Sequence, residues 1–481
     1  MVSLRATRES IRDPRRVVPV RIRPARTNVS RSNGDTQPDN RLAYVDQALF
    51  AAQCATGQQA IIQCVWVYEH AFDFDGLKRF HHNLGHGLLG RRIERSPLPF
   101  ARHRWVSDLG PEIDIAECPR IRTELSDWAD ERSQLATCSE WGPGWHLGVL
   151  PLTDGSTAVS LVVSHYIIDG LGLALALAEA VLGKTHDLGY PPPRSRTRQR
   201  AVVQDARQTA QGTPEVARAL VAAAKMARRQ WRDISRPAAS QAAAISEGFG
   251  DHAVVVPVIT IHIDLEDWDA RAKALGATST TLAAGLAAKL GERIGRKRAG
   301  DGAVTLQIAM SDRTEGDTRA NAMSFARVSV DPARLTTDLR DLRVAIKRAL
   351  TTMRETPDES LQLLPLSPLT PKRALKRLAD GVGADPDLPV TCSNLGDLGS
   401  VVCRLDGTDA EYASARVTGL RATRQRLERA GGQLTLLSWR VCGKIGITVV
   451  GYQPGGNNTK PALRELAAQT LAEFDLIGEI D

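Results

Sequence analysis

The chain has 481 residues, 42% hydrophobic and 24% charged, which excludes disordered and fibrous classes and suits two or three globular domains. Its net charge of +7 invites a nucleic-acid reading, but residues 1–41 hold ten Arg against four acids and residues 184–236 twelve Lys or Arg against four acids. The remainder carries about −7, so an acidic body with two basic segments replaces the nucleic-acid reading.

Residues 1–40 are basic, contain Pro14, Pro19, Pro24 and Pro38, and show no apolar period, which predicts a disordered leader. Residues 61–68 (IIQCVWVY) are β-branched and aromatic, as in a strand; 74–89 read as a helix and 104–106 as a further extended piece. Residues 145–150 and 157–164 are apolar runs separated by Thr153-Asp154-Gly155-Ser156. They predict a hairpin whose second strand is apolar on both faces and therefore central. A buried helix follows over 171–182, stopped by Gly183.

Pro191-Pro192-Pro193 open a connector that runs to about residue 245. Within it Thr213-Pro214-Glu215 starts a helix over 214–232, with Thr213 as its cap. Val216, Leu220, Ala223, Ala227 and Trp231 share one face of this helix, and Arg218, Lys225, Arg229 and Arg232 form a basic stripe on another. The pattern fits a connector helix docked by its apolar side; the stripe also suits an anionic membrane surface, a carrier protein or coenzyme A phosphates.

Beyond the connector, 254–265 read as a strand, 279–295 as an amphipathic helix capped by Ser279, and 304–310 and 326–330 as strands. Residues 337–353 are helical, 434–450 hold two strands around Gly443, and 461–476 form a closing helix. The expected architecture is two mixed α/β lobes, 41–183 and 246–481, joined by the basic connector 184–245.

Cys54, Cys64, Cys118, Cys138, Cys392, Cys403 and Cys442 show no CxxC spacing, and an odd, dispersed set suits a reducing cytosol. The near-apolar run 171–183 is too short to span a bilayer and carries Glu179; the N-terminus has no apolar stretch of secretory type. A soluble cytoplasmic protein is expected, with membrane association left to the connector helix. His82 and His86 have a metal-ligand spacing, but no Glu or Cys completes a set and Gly85 and Gly87 weaken the helix, so no metal site is expected.

The residues with the clearest chemistry are Ser164-His165-Tyr166-Ile167-Ile168-Asp169-Gly170, at the junction of the central strand and the buried helix. His165 leaves the strand end, where its side chain projects into a cleft between lobes. A neutral imidazole takes a proton from a hydroxyl or amine at cytosolic pH, and Gly170 permits a tight turn into the helix. HxxxDG alone fits a satisfied core histidine as well as a catalytic one.

The wider pattern resembles the condensation-domain superfamily of thioester-dependent acyltransferases, whose motif is HHxxxDG. The order of features is most similar to the wax ester synthase/diacylglycerol acyltransferase family and the polyketide-associated acyltransferases. The hairpin running into the motif carries the resemblance, as does Leu88-Leu89-Gly90-Arg91-Arg92 leading to Phe100-Ala101-Arg102-His103-Arg104-Trp105-Val106. Further along, Met310-Ser311-Asp312-Arg313 with Ala320-Asn321, and Val390-Thr391-Cys392-Ser393-Asn394-Leu395-Gly396, match that family's Ser-x-Arg strand with its downstream Asn, and its Ser-Asn segment. Coverage runs from about residue 41 to the C-terminus. Ser164 stands where the superfamily has its first His; the catalytic one is the second, so the change bears on a supporting role.

This resemblance implies two chloramphenicol acetyltransferase-like lobes forming a pseudo-dimer, with a tunnel that donor and acceptor enter from opposite faces. It implies acyl transfer from a thioester, acyl-coenzyme A favoured, to a hydroxyl, with His165 as general base and no covalent acyl-enzyme. Ser393 or Asn394 are the candidates for holding the oxyanion, and Asp169 is structural, with Arg313 its partner by position and Gly170 completing the motif. No cofactor is implied beyond the thioester co-substrate. A second reading is a carrier-protein-dependent enzyme forming an ester or amide in a natural-product or envelope-lipid pathway. A third is a non-catalytic binding protein of the same fold, against which the intact His165, Asp169 and Gly170 argue. With no fused carrier or adenylation module, a free-standing enzyme is expected.

Overall fold

The computed structural model describes residues 39–233, 254–356, 358–382, 385–420 and 422–481. The leader expected to be disordered lies outside the described residues except at its end. There Asn40 is buried and folded in: its Nδ2 donates to the Trp105 carbonyl at 2.8 Å and its Oδ1 accepts from Arg104 Nη1 at 2.9 Å.

In chain order the strands are β1 (Gln59–Tyr68), β2 (Arg91–Glu94), β3 (Arg104–Ser107), β4 (Asp114–Ile115), β5 (Trp145–Pro151), β6 (Thr157–Ser164) and β7 (Val258–Asp264). There follow β8 (Val304–Ser311), β9 (Met323–Val330), β10 (Val390–Asp397), β11 (Tyr412–Leu420), β12 (Gln433–Val441), β13 (Lys444–Tyr452) and β14 (Glu479–Ile480). One sheet has the order β11-β1-β6-β5-β4, a second the order β14-β7-β13-β12-β10-β8-β9, and β2 pairs with β3. Helices lie against both large sheets, so the fold is mixed α/β with two lobes.

The first sheet follows from its sequence. Every residue of β6 is buried, as an apolar run on both faces requires, and the strand lies between β1 and β5. The helix expected over 74–89 ends at Gly85, where a Cβ would lie 2.4 Å from the Leu109 carbonyl oxygen, so the close chain approach stops it.

The second half of the chain does not stay in its own lobe. β11 pairs with β1 along its length, from Gln59↔Leu420 to Val67↔Tyr412, and the turn before it places Val402, Cys403 and Leu405 in the first lobe's core. The reason lies in β1, whose last eight residues are all buried and which needs a partner on each edge. Arg416 fastens the crossing strand, donating to Gln63 Oε1 at 2.6 Å and to Asp130 Oδ1 at 2.6 Å. On the other side His262 Nε2 meets the Ala413 carbonyl at 3.1 Å and Thr448 Oγ1 donates to that of Ala415 at 2.6 Å, which ties β11 to the second sheet.

The helix Ser279–Arg293, expected to be amphipathic, is buried from Thr281 through Ala288 because the second sheet and its neighbouring helices enclose it. Thr278, not Ser279, caps it, accepting from Thr281 N–H at 3.3 Å; Ser279 instead accepts from Trp268 Nε1 at 2.8 Å.

The first helix of the connector is bolted to the first lobe, and the second packs on a segment from the second half of the chain. Asp205, on the helix Arg198–Gln211, is buried against Arg104 at 2.9 Å and Arg196 at 2.8 Å, and accepts from Ser96 Oγ at 2.6 Å. The next helix, Thr213–Asp233, buries Ala219 and half-buries Val216, Ala223 and Met226, packing against residues 359–369. Leu220 is 56% exposed and Ala227 is exposed, so the docked face is rotated from the one expected. A small side chain at 219 allows the close helix approach that a leucine would block. The side chains of Trp231 and Arg232 lie outside the described residues.

Candidate active site

β6 delivers the site. Ser164, its last residue, is buried, with its N–H on the Gly144 carbonyl at 2.9 Å. His165 then turns off the sheet, its own N–H bonded to the Ala60 carbonyl at 2.9 Å, and Ile167 N–H closes the turn on Ser164 at 3.1 Å. The His165 side chain lines a cavity of about 220 Å3. The first lobe contributes Cys64, Trp66 and Leu177 to its walls and the second contributes Met310, Phe325 and Leu437. The surface His165 retains therefore belongs to a mainly apolar cleft between lobes. Burial holds the imidazole below its ordinary pKa, against the opposing pull of a bond to its own backbone carbonyl, the Asp169 carboxylate and Asn321.

The cleft opens where two strands part. The parallel pairing of β8 with β10 runs from Leu306↔Val390 to Ala309↔Ser393 and stops there. Met310 and Ser311 on one side, and Asn394 and Leu395 on the other, line the cavity beyond that point.

Asp169 caps the helix Gly170–Val181, its Oδ1 accepting from Gly172 N–H at 2.7 Å. Its Oδ2 accepts from Ala322 N–H at 2.8 Å and meets Arg313 Nη2 at 2.8 Å, with both charged side chains almost wholly buried. Arg313 also donates to the carbonyls of Asp317, Arg319 and Ala320 at 3.0, 3.1 and 3.1 Å. The carboxylate is thus fully engaged in holding the β8–β9 connection against the motif.

The pair leaves no room beside it. A Cβ on Gly172 would lie 2.9 Å from Arg313 Nη2 and 3.0 Å from Asp169 Oδ1. Gly172→Ala is expected to destabilise the protein by about 1–3 kcal/mol in urea denaturation, because neither partner can withdraw without losing its bonds. Wild-type stability in this variant would show that the pair is more yielding than its geometry.

Two further buried charges grip the same region. Asp46, on the helix Tyr44–Thr56, accepts from the N–H groups of Ala320 and Asn321 at 2.9 Å each. Asn321 Nδ2 in turn donates to the His165 carbonyl at 3.2 Å. Arg91 Nη2 donates to the Ile167 carbonyl at 2.9 Å while Nη1 bonds the Thr318 carbonyl, and its guanidinium lies 4.2 Å above the Trp105 ring centroid. The His165 turn is held from three sides.

Solved structures share this arrangement of sheets. The first condensation domain of the calcium-dependent antibiotic synthetase, in complex with a substrate analogue, is similar over 92% of this chain and 98% of its own, at 13% identity and a TM-score of 0.56. The wax ester synthase/diacylglycerol acyltransferase from Marinobacter aquaeolei VT8 is similar over 91% and 98%, at 15% identity and a TM-score of 0.50. The condensation domain from Monacolin K polyketide synthase MokA is similar over 90% and 96%, at 12% identity and a TM-score of 0.50. The chain has the condensation-domain fold. Its two lobes are the chloramphenicol acetyltransferase-like pair that the sequence resemblance implies, with the cleft between them. The sequence matches no protein-family model and no curated protein.

Within the condensation fold His165, Asp169, Ser393 and Asn394 line one cavity, and Arg313 meets Asp169 at its edge without lining it. The two oxyanion candidates differ. Asn394 Nδ2 spends one of its two hydrogens on Thr280 Oγ1 at 2.9 Å and its Oδ1 accepts from Gly396 N–H at 2.7 Å, so its carboxamide is partly committed and held in orientation. Ser393 Oγ makes no hydrogen bond with another described residue and remains available. His82 and His86 stack with centroids 4.2 Å apart, and among the described residues no group of three or more His, Cys, Asp or Glu is placed to hold a metal.

Sequence reasoning gave no role to Asp46 or Arg91. The available signal for Asp46 was an acid between Leu42 and Phe50 on an apolar helix face; for Arg91 it was a cation entering a short strand, which by itself reads as surface.

Proposed function

We propose that the chain is an acyltransferase that moves an acyl group from a thioester, coenzyme A favoured, to a hydroxyl acceptor, with His165 as general base. The observation that carries this reading is the depressed imidazole in a mainly apolar cleft to which both lobes contribute.

The unprotonated ring nitrogen of His165 takes the acceptor proton as the oxygen attacks the thioester carbonyl, and a tetrahedral oxyanion forms. Its collapse breaks the carbon–sulfur bond, and the departing thiolate takes the proton back from the imidazolium. No acyl-enzyme forms, and the thioester supplies the activation, so the proposal names no cofactor. The uncommitted Ser393 hydroxyl is the donor assigned to the oxyanion. Ser393→Ala is expected to lower kcat by about 10²-fold with little change in KM. An unchanged kcat would remove Ser393 from this role, leaving Asn394 to be tested in its place.

The main test is mass spectrometry of products from a panel of acyl donors and hydroxyl or amine acceptors, with His165→Ala as control. Ester formation that depends on His165 supports the proposal. The likeness to condensation domains favours, as alternative, an acyl carrier protein as donor, and the panel distinguishes it from coenzyme A. A panel without His165-dependent product would favour the non-catalytic reading.

The reading places the enzyme in the reducing cytoplasm, which the seven free thiols support, and assigns it no nucleic-acid partner. Among the described residues no helix is long and apolar enough to cross a membrane. Exposed Leu220 and Val221 beside exposed Arg218, Lys225 and Arg228 support peripheral contact with an anionic membrane surface through residues 214–232.

A further inference from the structure

Resting on the acyl-transfer reading, we infer that the transferred group is a straight, unsubstituted acyl chain of about ten carbons, held in a blind apolar slot whose length Ala415 and Trp66 set. The slot is one limb of the cavity that His165 lines. On β1 the lining residues are Ile62, Cys64 and Trp66, every second position, and the register of β11 places Val417, Ala415 and Ala413 directly opposite them. Side chains paired in this way share one face of a sheet, so these six form a continuous floor. The intervening Ser414 borders the cavity as well, and Leu173 and Leu177 of the helix Gly170–Val181 add apolar wall.

His165 stands at one end of this floor. Its N–H bonds the Ala60 carbonyl at 2.9 Å and Ser164 pairs with Ile61, so on β1 Ile62 is the lining residue nearest the base and Trp66 the farthest. Trp66 is fixed at the far end: it is buried, and its Nε1 donates to the carbonyl of Val402, itself a lining residue, at 3.0 Å. Tyr68, next on that face, is also buried, with its hydroxyl on the Cys403 carbonyl at 2.8 Å, so the floor does not run on to solvent there. The β8–β9 side of the cavity is open instead, where Phe325 is 45% exposed.

Chemistry orients the donor. The thiol arm of coenzyme A carries amides and phosphates, which apolar walls cannot solvate. Ser311, Thr391, Ser393 and Asn394 border the cavity on the β8–β10 side, so the arm lies toward them and the hydrocarbon on the other side of the carbonyl lies in the slot. The four-residue advance from Ile62 to Trp66 covers about 13 Å of strand. An extended chain with bonds of about 1.5 Å advances about 1.3 Å per carbon, which gives about ten carbons. The small side chains at 413 and 415 leave the width for it; a leucine at 415, opposite Cys64, would block the slot halfway.

The test measures kcat/KM for saturated acyl donors from acetyl to hexadecanoyl, on coenzyme A and on an acyl carrier protein, with one short alcohol as acceptor. Wild-type values should rise by up to about fourfold per added carbon and fall beyond decanoyl. Ala415→Leu should move the optimum to hexanoyl or shorter and lower the decanoyl-to-butanoyl ratio of kcat/KM at least about tenfold. That ratio does not depend on how much of the variant is folded. Trp66→Leu, which opens the far end, should move the optimum to longer donors. With His165-dependent transfer intact, a wild-type profile that is flat or still rising at hexadecanoyl would overturn the slot, as would a ratio unmoved by Ala415→Leu. A shift along a series of alcohols and not of donors would assign the slot to the acceptor and overturn it too. Absence of transfer with every donor would instead remove the acyl-transfer reading, and the inference with it.

Discussion

Replacing His165 by alanine is expected to lower kcat for acyl transfer by roughly 10²–10⁴-fold, the usual contribution of a positioned general base, without unfolding the protein. The fold should survive because the bonds that shape the turn run through backbone atoms. His165 N–H bonds the Ala60 carbonyl and Asn321 donates to the His165 carbonyl, and alanine keeps both. The wild-type pH profile supplies an independent check. The base works only when unprotonated, so kcat/KM should rise with pH and reach its plateau through a midpoint below 6.5, because burial lowers the His165 pKa. A midpoint at or above that value would contradict the buried setting of the imidazole; full activity in the alanine variant would sink the mechanism.

Asp169→Ala should have the largest effect on stability, a loss of about 3–5 kcal/mol in chemical denaturation. It strands the buried Arg313 guanidinium, and it leaves Gly172 and Ala322 N–H groups without their acceptor. Its kinetic consequence separates a structural carboxylate from a catalytic one. In the fraction that remains folded, the His165 midpoint should move further down, because the carboxylate that raises it is gone. Activity per folded molecule at neutral pH should then persist within about tenfold, whereas a proton-carrying Asp169 would lose the 10²–10⁴-fold expected of His165. Residual activity of that lower order would make Asp169 part of the chemistry.

Much of the first lobe was legible because its signals are local. An apolar run on both faces makes β6 central, the four residues Thr153 to Ser156 make a hairpin, and a Gly-stopped apolar segment makes a helix against that sheet. His165 and Asp169 sit on either side of one turn, so their spacing alone placed them near each other. Helix ends were less legible: the 74–89 helix stops at Gly85 because Leu109, distant in sequence, approaches there. The docked face of the connector helix was likewise set by what it meets, residues 359–369, and not by its own periodicity.

The sequence by itself determined the mixed α/β class, the strand-to-helix turn that presents His165, and the separation of basic segments from an acidic body. Each of these depends on residues within a few positions of one another or on composition. Only the tertiary structure decided that β11 completes the first sheet, since the open edge of β1 is satisfied from more than 340 positions away. It also decided how two adjacent side chains are committed, because Asn394 spends one Nδ2 hydrogen on Thr280 and its Oδ1 on Gly396 N–H, while Ser393 Oγ has no partner among the described residues. Burial and long-range pairing fix those outcomes, and neither is written in any local spacing.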